Sequence, residues 1–112
     1  MIGEETTTVG TRIETVHSIL ASGERRTVVR ALAASGTPMS ISTLADRIAE
    51  NGEELPVQVR LYHQHLPKMC AAGVVEYDRD VGEVSLTPMG QRVDALARWT
   101  AELLNDEPSP VT

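Results

Sequence analysis

Phenylalanine is absent from the 112 residues, and Tyr62, Tyr77 and Trp99 are the only aromatic side chains. The core must therefore consist of aliphatic side chains and methionine. A single cysteine, Cys70, excludes an internal disulfide bond and favours the cytoplasm. No apolar run approaches the length of a membrane span, and no secretory signal is present at the N-terminus. These absences predict one small soluble domain.

Lysine is nearly absent too, since Lys68 is the only one among ten basic residues. Sixteen acidic residues give a net charge of −6. Acid excess, scarce lysine and many small apolar residues together suggest a proteome adapted to high salt. An ordinary acidic protein from a GC-rich genome is the alternative.

Acidic residues are missing from two long stretches, residues 25–45 and 55–75. A surface that binds a polyanion requires acids to be kept away from it. We therefore expect both stretches to contribute to such a surface. Their basic residues are Arg25, Arg26, Arg30, Arg60 and Lys68.

Apolar spacing and turn residues predict the order helix, helix, short strand, helix, helix, hairpin, helix. Ser22 is the expected N-cap of the second helix, which Gly36 ends, and Ser42 is the expected N-cap of the third. Without the first and last helices, the order is that of a winged helix-turn-helix. The predicted fold is therefore mainly α with a small β-hairpin. Residues 1–8 and 105–112 are predicted tails, residues 9–104 one domain, and residues 88–104 a C-terminal dimerisation helix.

Residues 56–72 are predicted to form the helix that enters the DNA major groove. Helical spacing predicts a buried stripe of Tyr62, Leu66, Met69 and Gly73. Arginine and glutamine match the edges of guanine and adenine, and lysine suits a phosphate. An ordinary solvated helix face is the alternative. The residues predicted to face outward are Arg60, His63, Gln64, Pro67 and Lys68.

Pro67 lies inside this helix, where it removes a backbone donor and collides with the carbonyl of His63. A kink or break is therefore expected around residues 63–67. The kink either only turns the chain toward the hairpin, which we favour, or aims His63 and Gln64 into a groove.

The segment LYHQHLPKMCAAGVVEYDRDVGEVSLTPMG resembles winged-helix domains of halophilic archaea, which have an HxHLPKL-like segment followed by AGVV(D/E)YD and a hairpin ending in LTP. The resemblance covers about residues 17–90 and extends more distantly to ArsR- and MarR-like repressors. Met69 stands where leucine is commoner in the family. The resemblance implies a DNA-binding fold and a role in transcription.

DNA contacts are expected from the long helix, from the helix before it and from the hairpin. The hairpin is otherwise acidic, so it is expected to contribute Arg79 at most. The predicted DNA-binding residues are Arg60, His63, Gln64, Lys68, Ser42, Thr43, Arg25, Arg26 and Arg79.

Apolar residues in the last helix recur at alternating spacings of four and three, which is typical of a helix that pairs with another. The first helix has a shorter apolar stripe. We expect the two stripes to form a homodimer interface, although both helices could instead fold back onto their own domain. The predicted interface residues are Ile13, Val16, Leu20, Met89, Val93, Leu96, Trp99 and Leu103.

No metal site, cofactor or catalytic activity is expected. His63 and His65 point about 200° apart on a helix, so they cannot easily share an ion. His65 is expected at the edge of the core, donating to a backbone carbonyl, and Cys70 is expected to be a small buried side chain. No nucleophile elbow, phosphate-binding loop or carboxylate pair indicates an enzyme.

The function that these patterns favour is a dimeric, sequence-specific transcriptional regulator. Its expected partners are double-stranded DNA and a second copy of the chain. A winged-helix module that binds another protein and not DNA is the alternative. A sensor of a small molecule in the dimer crevice is a third hypothesis.

Overall fold

A computed structural model describes residues 12–49 and 52–105; the predicted N-terminal tail, and the C-terminal tail beyond Asn105, lie outside these ranges. The chain is mainly helical with a small sheet, which confirms the predicted fold class and element order. The elements are α1 at residues 12–20, α2 at Gly23–Ser35, β1 at Met39–Ser40, α3 at Ile41–Ile48, α4 at Glu54–Arg60, a π-helical turn at Leu61–His65, α5 at Leu66–Ala71, β2 at Val75–Asp78, β3 at Glu83–Leu86 and α6 at Pro88–Asn105. We call the continuous segment 54–71 the long helix.

Helix α2 begins and ends where the sequence predicts. The Ser22 hydroxyl accepts a hydrogen bond from the backbone N–H of Arg25 at 3.3 Å. Gly36 ends the helix with a φ of 67°, which costs glycine little. The start of α3 differs from the prediction, because Ser40 and not Ser42 accepts a hydrogen bond from the Thr43 N–H, at 3.1 Å. Strand β1 therefore runs directly into α3.

The three strands form an antiparallel sheet in the order β1-β3-β2. The predicted hairpin is confirmed, with Val75 opposite Leu86 and Asp78 opposite Glu83. Strand β1 pairs with the other side of β3, where Met39 lies opposite Val84. This pairing attaches the hairpin to the helices, so the hairpin is the wing of a helix-turn-helix formed by α3 and the long helix.

The predicted irregularity before Pro67 takes the form of a π turn, and the helix is not broken. The backbone N–H of Leu66 bonds to the carbonyl of Leu61, five residues back. The wider turn adds a residue and so shifts the buried face by one position. Leu66 and Met69 are buried as predicted, but Leu61 takes the place predicted for Tyr62, which is 50 % exposed. Gly73, predicted in the stripe, lies beyond the end of the helix.

The core contains aliphatic side chains from the helices and from the sheet, including residues of the terminal helices α1 and α6. Ile19 of α1 is completely buried, and Val16 and Leu20 pack partly buried against the core. Val93 of α6 is buried as well. Val16, Leu20 and Val93 were predicted to pair with a second chain. Burial within its own domain corrects that prediction for Val93, whereas Val16 and Leu20 keep part of their surface exposed. Over the described ranges, no helix is long and apolar enough to cross a membrane.

Candidate nucleic-acid interface

The outer face of the long helix carries no acidic residue from Leu55 to its end. His63, Gln64 and Lys68 are exposed there, as predicted. The side chains of Gln64 and Lys68 make no hydrogen bond or ion pair within the described ranges. The amide and the ammonium group are therefore available to a partner.

A cleft of about 350 Å³ separates this face from the wing. Tyr62 forms its aromatic wall and meets two rings edge to face, with centroid distances of 5.0 Å to His63 and 6.5 Å to Tyr77. Arg79 lines the same cleft from the turn of the hairpin and is exposed. The structure thus brings Arg79 and His63, both predicted DNA contacts, to one opening.

Arg60 does not lie free on the outer face, which corrects its predicted role. Its guanidinium makes two hydrogen bonds to the Glu24 carboxylate, at 2.9 Å from Nε and 2.6 Å from Nη2. Such a bidentate pair fixes the planar guanidinium and satisfies its charge. The sequence suggested the opposite, because Glu24 is 36 residues away along the chain.

Arg25 was also predicted to contact DNA, but it is buried in the domain and only 7 % exposed. Its guanidinium donates to the carbonyls of Ser18 and Ile19, at 2.7 and 3.3 Å, and lies 3.1 Å from Nδ1 of His65. Arginine only donates, so Nδ1 of His65 must be the acceptor. The ring proton is then on Nε2, which donates to Glu24 at 2.8 Å. His65 is buried as predicted, but its partners are side chains and not a backbone carbonyl.

Glu24 is the centre of this cluster and joins α2 to the long helix. The pKa of the Glu24 carboxyl is lowered to about 2, chiefly by the hydrogen bond from Arg60 and also by His65, against the opposing effect of burial. The carboxylate therefore stays charged at every physiological pH. Two of the arginines predicted to bind DNA thus have a structural role.

The other predicted contacts stay at the surface. Ser42 and Thr43 are exposed at the start of α3, where their hydroxyls bond to that of Ser40 at 3.1 and 2.9 Å. Arg26 is exposed, and its Nη1 donates to the carbonyl of Leu20. One nitrogen of Arg26 is thus engaged, and the residue stays at the surface.

The acidic residues of the wing have in part a local role. The Asp78 carboxylate accepts hydrogen bonds from the N–H groups of Asp80 and Val81, at 3.0 and 3.3 Å. These bonds form an Asx turn that shapes the tip of the hairpin. Gly82 completes the turn with a φ of 77°.

Cys70 is exposed in the cleft, so the prediction of a buried side chain is wrong. Partial burial of the thiol raises its pKa, and Glu76 adds to this effect, while a backbone hydrogen bond at Tyr77 and the charge of Arg79 act against it. A raised pKa disfavours the reactive thiolate. Among the described residues, no group of three or more His, Cys, Asp and Glu side chains could hold a metal ion.

The apolar part of the outer face was not predicted. Leu55, Val59 and Tyr62 are 72 %, 56 % and 50 % exposed, and they follow one another at helical spacing. The signal was present in the sequence as apolar residues at i, i+4 and i+7, but these positions were not assigned to a surface. The shift caused by the π turn is what moves Tyr62 to the outside.

Apolar side chains also cover the outer face of α6. Leu96, Trp99 and Leu103 are 39 %, 59 % and 56 % exposed. Ile13 of α1 is 52 % exposed and lines a small cavity with Leu96, so the two helices share this surface. Met89, at the start of α6, is 36 % exposed. These five of the predicted interface residues remain accessible to a second chain.

Comparison with curated proteins of known function gives no match, and neither does comparison with solved structures. One family model does match, over residues 17–85, from α1 through most of β3. This range contains the helix-turn-helix, the Glu24 cluster and the long helix with its cleft. The chain belongs to the family described as a domain of unknown function, DUF7344.

Proposed function

We propose that this protein is a sequence-specific DNA-binding transcriptional regulator that acts as a homodimer. The observation that supports this most is the outer face of the long helix. It is the second helix of a helix-turn-helix, it lies beside a wing, and it exposes His63, Gln64 and Lys68 without any acid. In DNA-binding proteins of this layout, that helix occupies the major groove.

Each exposed polar group has a chemical role in this proposal. The Gln64 amide can pair with the N6 and N7 edge of an adenine, and Lys68 can neutralise a phosphate. His63 can donate a hydrogen bond to a base edge or to a phosphate. Ser42 and Thr43, at the start of α3, contact the DNA backbone, and Arg79 contacts it from the wing. Arg60 and Arg25 position the long helix through Glu24 and His65 and do not contact DNA.

The outer face of α6 supports the proposed homodimer. An exposed apolar stripe of Leu96, Trp99 and Leu103, next to Ile13, is unfavourable in water unless something covers it. A second copy covers it with an identical stripe about a two-fold axis. Two long helices would then meet successive turns of DNA, which favours a palindromic site.

The salt of the cell would decide how much each contact contributes. Near 1 M salt the Debye length is about 3 Å, and the gain from counterion release also falls. Base-edge contacts and shape would then carry more of the binding than phosphates. Because the proposed contact set has two basic residues, Lys68 and Arg79, we expect a shallow dependence of affinity on salt.

A second function is favoured by the exposed Leu55, Val59 and Tyr62. An apolar stripe at helical spacing is typical of a surface that receives another protein. The net charge of −6 and the acidic wing point the same way. The alternative is therefore a winged-helix module that binds a protein partner through the same face.

The test is a titration of a mixed duplex DNA pool with the wild type and with Lys68→Gln, at several KCl concentrations. Loss of one phosphate contact should weaken binding to all sequences and reduce the slope of log affinity against log salt by about one. Arg60→Gln is the matched control, since it removes the same charge from the same helix. Its slope should equal that of the wild type, with folding checked by circular dichroism.

The proposed contact set would be wrong if Arg60→Gln reduced the slope as much as Lys68→Gln, or if neither variant changed it. Absence of any binding by the folded wild type would favour the protein-binding module.

The dimer is tested separately with Trp99→Glu, by light scattering after size-exclusion chromatography. A charge in the stripe should give a monomer, whereas Ala101→Glu should remain a dimer. Ala101 is exposed on the same helix and about 160° around it from Trp99. A monomeric wild type would contradict the proposed interface.

A further inference from the structure

A second opening, away from the long helix, has a different chemistry. It is a cavity of about 380 Å³ between α2, the turn after it, β3 and α6. None of its lining residues belongs to α3 or to the long helix. The polar residues that line it are Arg30, Thr37, Ser85, Gln91, Asp94 and Arg98.

The cavity has an excess of positive charge. Asp94 is only 2 % exposed, and it is the only acidic residue among the described residues of the lining. Its Oδ2 atom receives both arginines, with Arg30 Nη1 at 3.3 Å and Arg98 Nε at 3.1 Å. One carboxylate thus faces two guanidinium groups, and one positive charge is left without a partner among the described residues.

Most of the hydrogen-bond donors of this pair are also unused. A guanidinium has five N–H donors, and the contacts with Asp94 engage one nitrogen of each arginine. Thr37, Ser85 and Gln91 line the same space. Guanidinium donors beside an uncompensated positive charge suit a carboxylate or phosphate group.

The remaining walls suit a small organic body. Ala33, Pro38 and Leu86 line the cavity with apolar surface. Its volume is within the range of small-molecule sites, which are typically about 300 to 1,000 Å³. A bare ion would leave much of this space filled with water.

We propose that this cavity binds a small organic oxyanion, a carboxylate or a phosphate ester, through Arg30 and Arg98. Asp94 orients the two guanidinium groups, and the apolar part of the ligand lies against Ala33, Pro38 and Leu86. Such a ligand bridges α2 and α6, the helix that carries the exposed apolar stripe. The site shares no residue with the proposed DNA contacts, so the two proposals can be tested separately.

The experiment is an NMR titration of the full chain with benzoate, acetate and inorganic phosphate in separate series, with ionic strength held constant by KCl. Arginine Nε–H signals of Arg30 and Arg98 and the amides of Thr37 and Ser85 report on the cavity. We expect saturable shifts in the wild type. Saturation by benzoate alone identifies a carboxylate with an apolar body, and saturation by phosphate alone identifies a phosphate ester.

Three variants make the result specific. Arg98→Gln should bind at least about fivefold more weakly, because it removes a charge-assisted contact while Arg30 still holds Asp94. Arg47→Gln, at an exposed arginine of α3, removes the same charge elsewhere and should bind like the wild type. Asp94→Asn keeps an acceptor oxygen for the two arginines but removes the competing negative charge and, where its amide spectrum shows a native fold, should bind more tightly.

Shifts that never saturate with any of the three anions would overturn the proposal. Equal weakening by Arg98→Gln and Arg47→Gln would overturn it too, because the anions would then respond to net charge alone.

Discussion

Glu24 and Asp94 are carboxylates on different helices, and each contacts two basic side chains. The two clusters differ in how many of their hydrogen-bond donors contact the carboxylate. Glu24 of α2 accepts three hydrogen bonds, two from Arg60 and one from His65. Asp94 of α6 is met through a single oxygen by Arg30 and Arg98. In the first cluster Arg60 binds the carboxylate with two nitrogens, whereas in the second each arginine uses one nitrogen and lines an open cavity.

The difference shows why an arginine in the sequence is not equivalent to a cation at the surface. Arg25 and Arg60 lie in stretches without acids, and both are engaged by groups that come from elsewhere in the fold. Arg30, which also lies in a stretch without acids, shares the single carboxylate of Asp94 with Arg98, and one positive charge is left in excess. Availability depends on geometry and on the number of donors used, which a count of charges does not contain.

The largest expected effect comes from breaking the second cluster through the backbone of α6. Gly90 lies one turn before Asp94, and a Cβ at this position would be 2.2 Å from the carbonyl oxygen of Val74 and 2.4 Å from Leu86 Cδ1. Gly90→Ala must therefore push α6 away from the sheet. We expect the free energy of unfolding to fall by about 3 kcal/mol or more, measured by urea denaturation.

Gly23→Ala is the matched control, because only the flexible end of Arg26 lies near the added methyl group, at 3.6 Å. Gly23 is the first residue of α2, where alanine should be neutral or stabilising by up to about 1 kcal/mol. Equal stability of Gly90→Ala and the wild type would show that α6 does not pack as described.

A smaller effect is expected from the first cluster. Glu24→Gln keeps the shape of the side chain but loses the charge, and we expect a loss of about 1 to 2 kcal/mol at neutral pH, reduced by the partial exposure of Arg60. The folded pKa of about 2 lies below the ordinary value of 4.5. The stabilisation by Glu24 is therefore complete above about pH 4.5 and is lost as the pH falls toward 2.

Urea denaturation of the wild type and Glu24→Gln across this range measures the effect, and the two stability curves should converge in acid. Glu102→Gln, at an exposed acid of α6, should change stability by less than about 0.5 kcal/mol. A constant difference between wild type and Glu24→Gln at all pH values would mean that the charge of Glu24 contributes nothing.

The smallest effect concerns Cys70, which lies in the cleft and belongs to neither cluster. Because partial burial raises the pKa of its thiol, alkylation at mildly alkaline pH should be slower than that of a free cysteine. Mass spectrometry after timed exposure to iodoacetamide measures this. An alkylation rate above that of free cysteine would contradict the described environment of the cleft.

Local signals in the sequence were sufficient for most of the fold. Ser22 and Gly36 bound α2 as predicted, and the two strand-like runs on either side of residues 78–82 predict the hairpin. Pro67 indicated an irregular turn, but not how it would resolve. Proline disfavours a regular helix in the turn before it. That this turn is a π turn depends on which side chain packs in the core, and Leu61 is the one that is buried.

The candidate site was less accessible to prediction because its decisive contacts are distant in sequence. The exposure of His63, Gln64 and Lys68 follows from helical periodicity. The pairing of Arg60 with Glu24, and the burial of Arg25 against His65, follow only once α2 and the long helix are packed together. Val93 was assigned to a dimer because a stripe at helical spacing does not reveal which part of it the domain itself buries.

The most direct test of the proposed function is selection of bound fragments from randomised duplex DNA, with the purified wild type at low and at multi-molar KCl. A dimer that reads the major groove through the long helix should enrich a palindrome. The Gln64→Ala variant should no longer prefer adenine at one position of each half-site. No enrichment at either salt concentration, from protein shown to be folded, would contradict sequence-specific DNA binding and favour the protein-binding module.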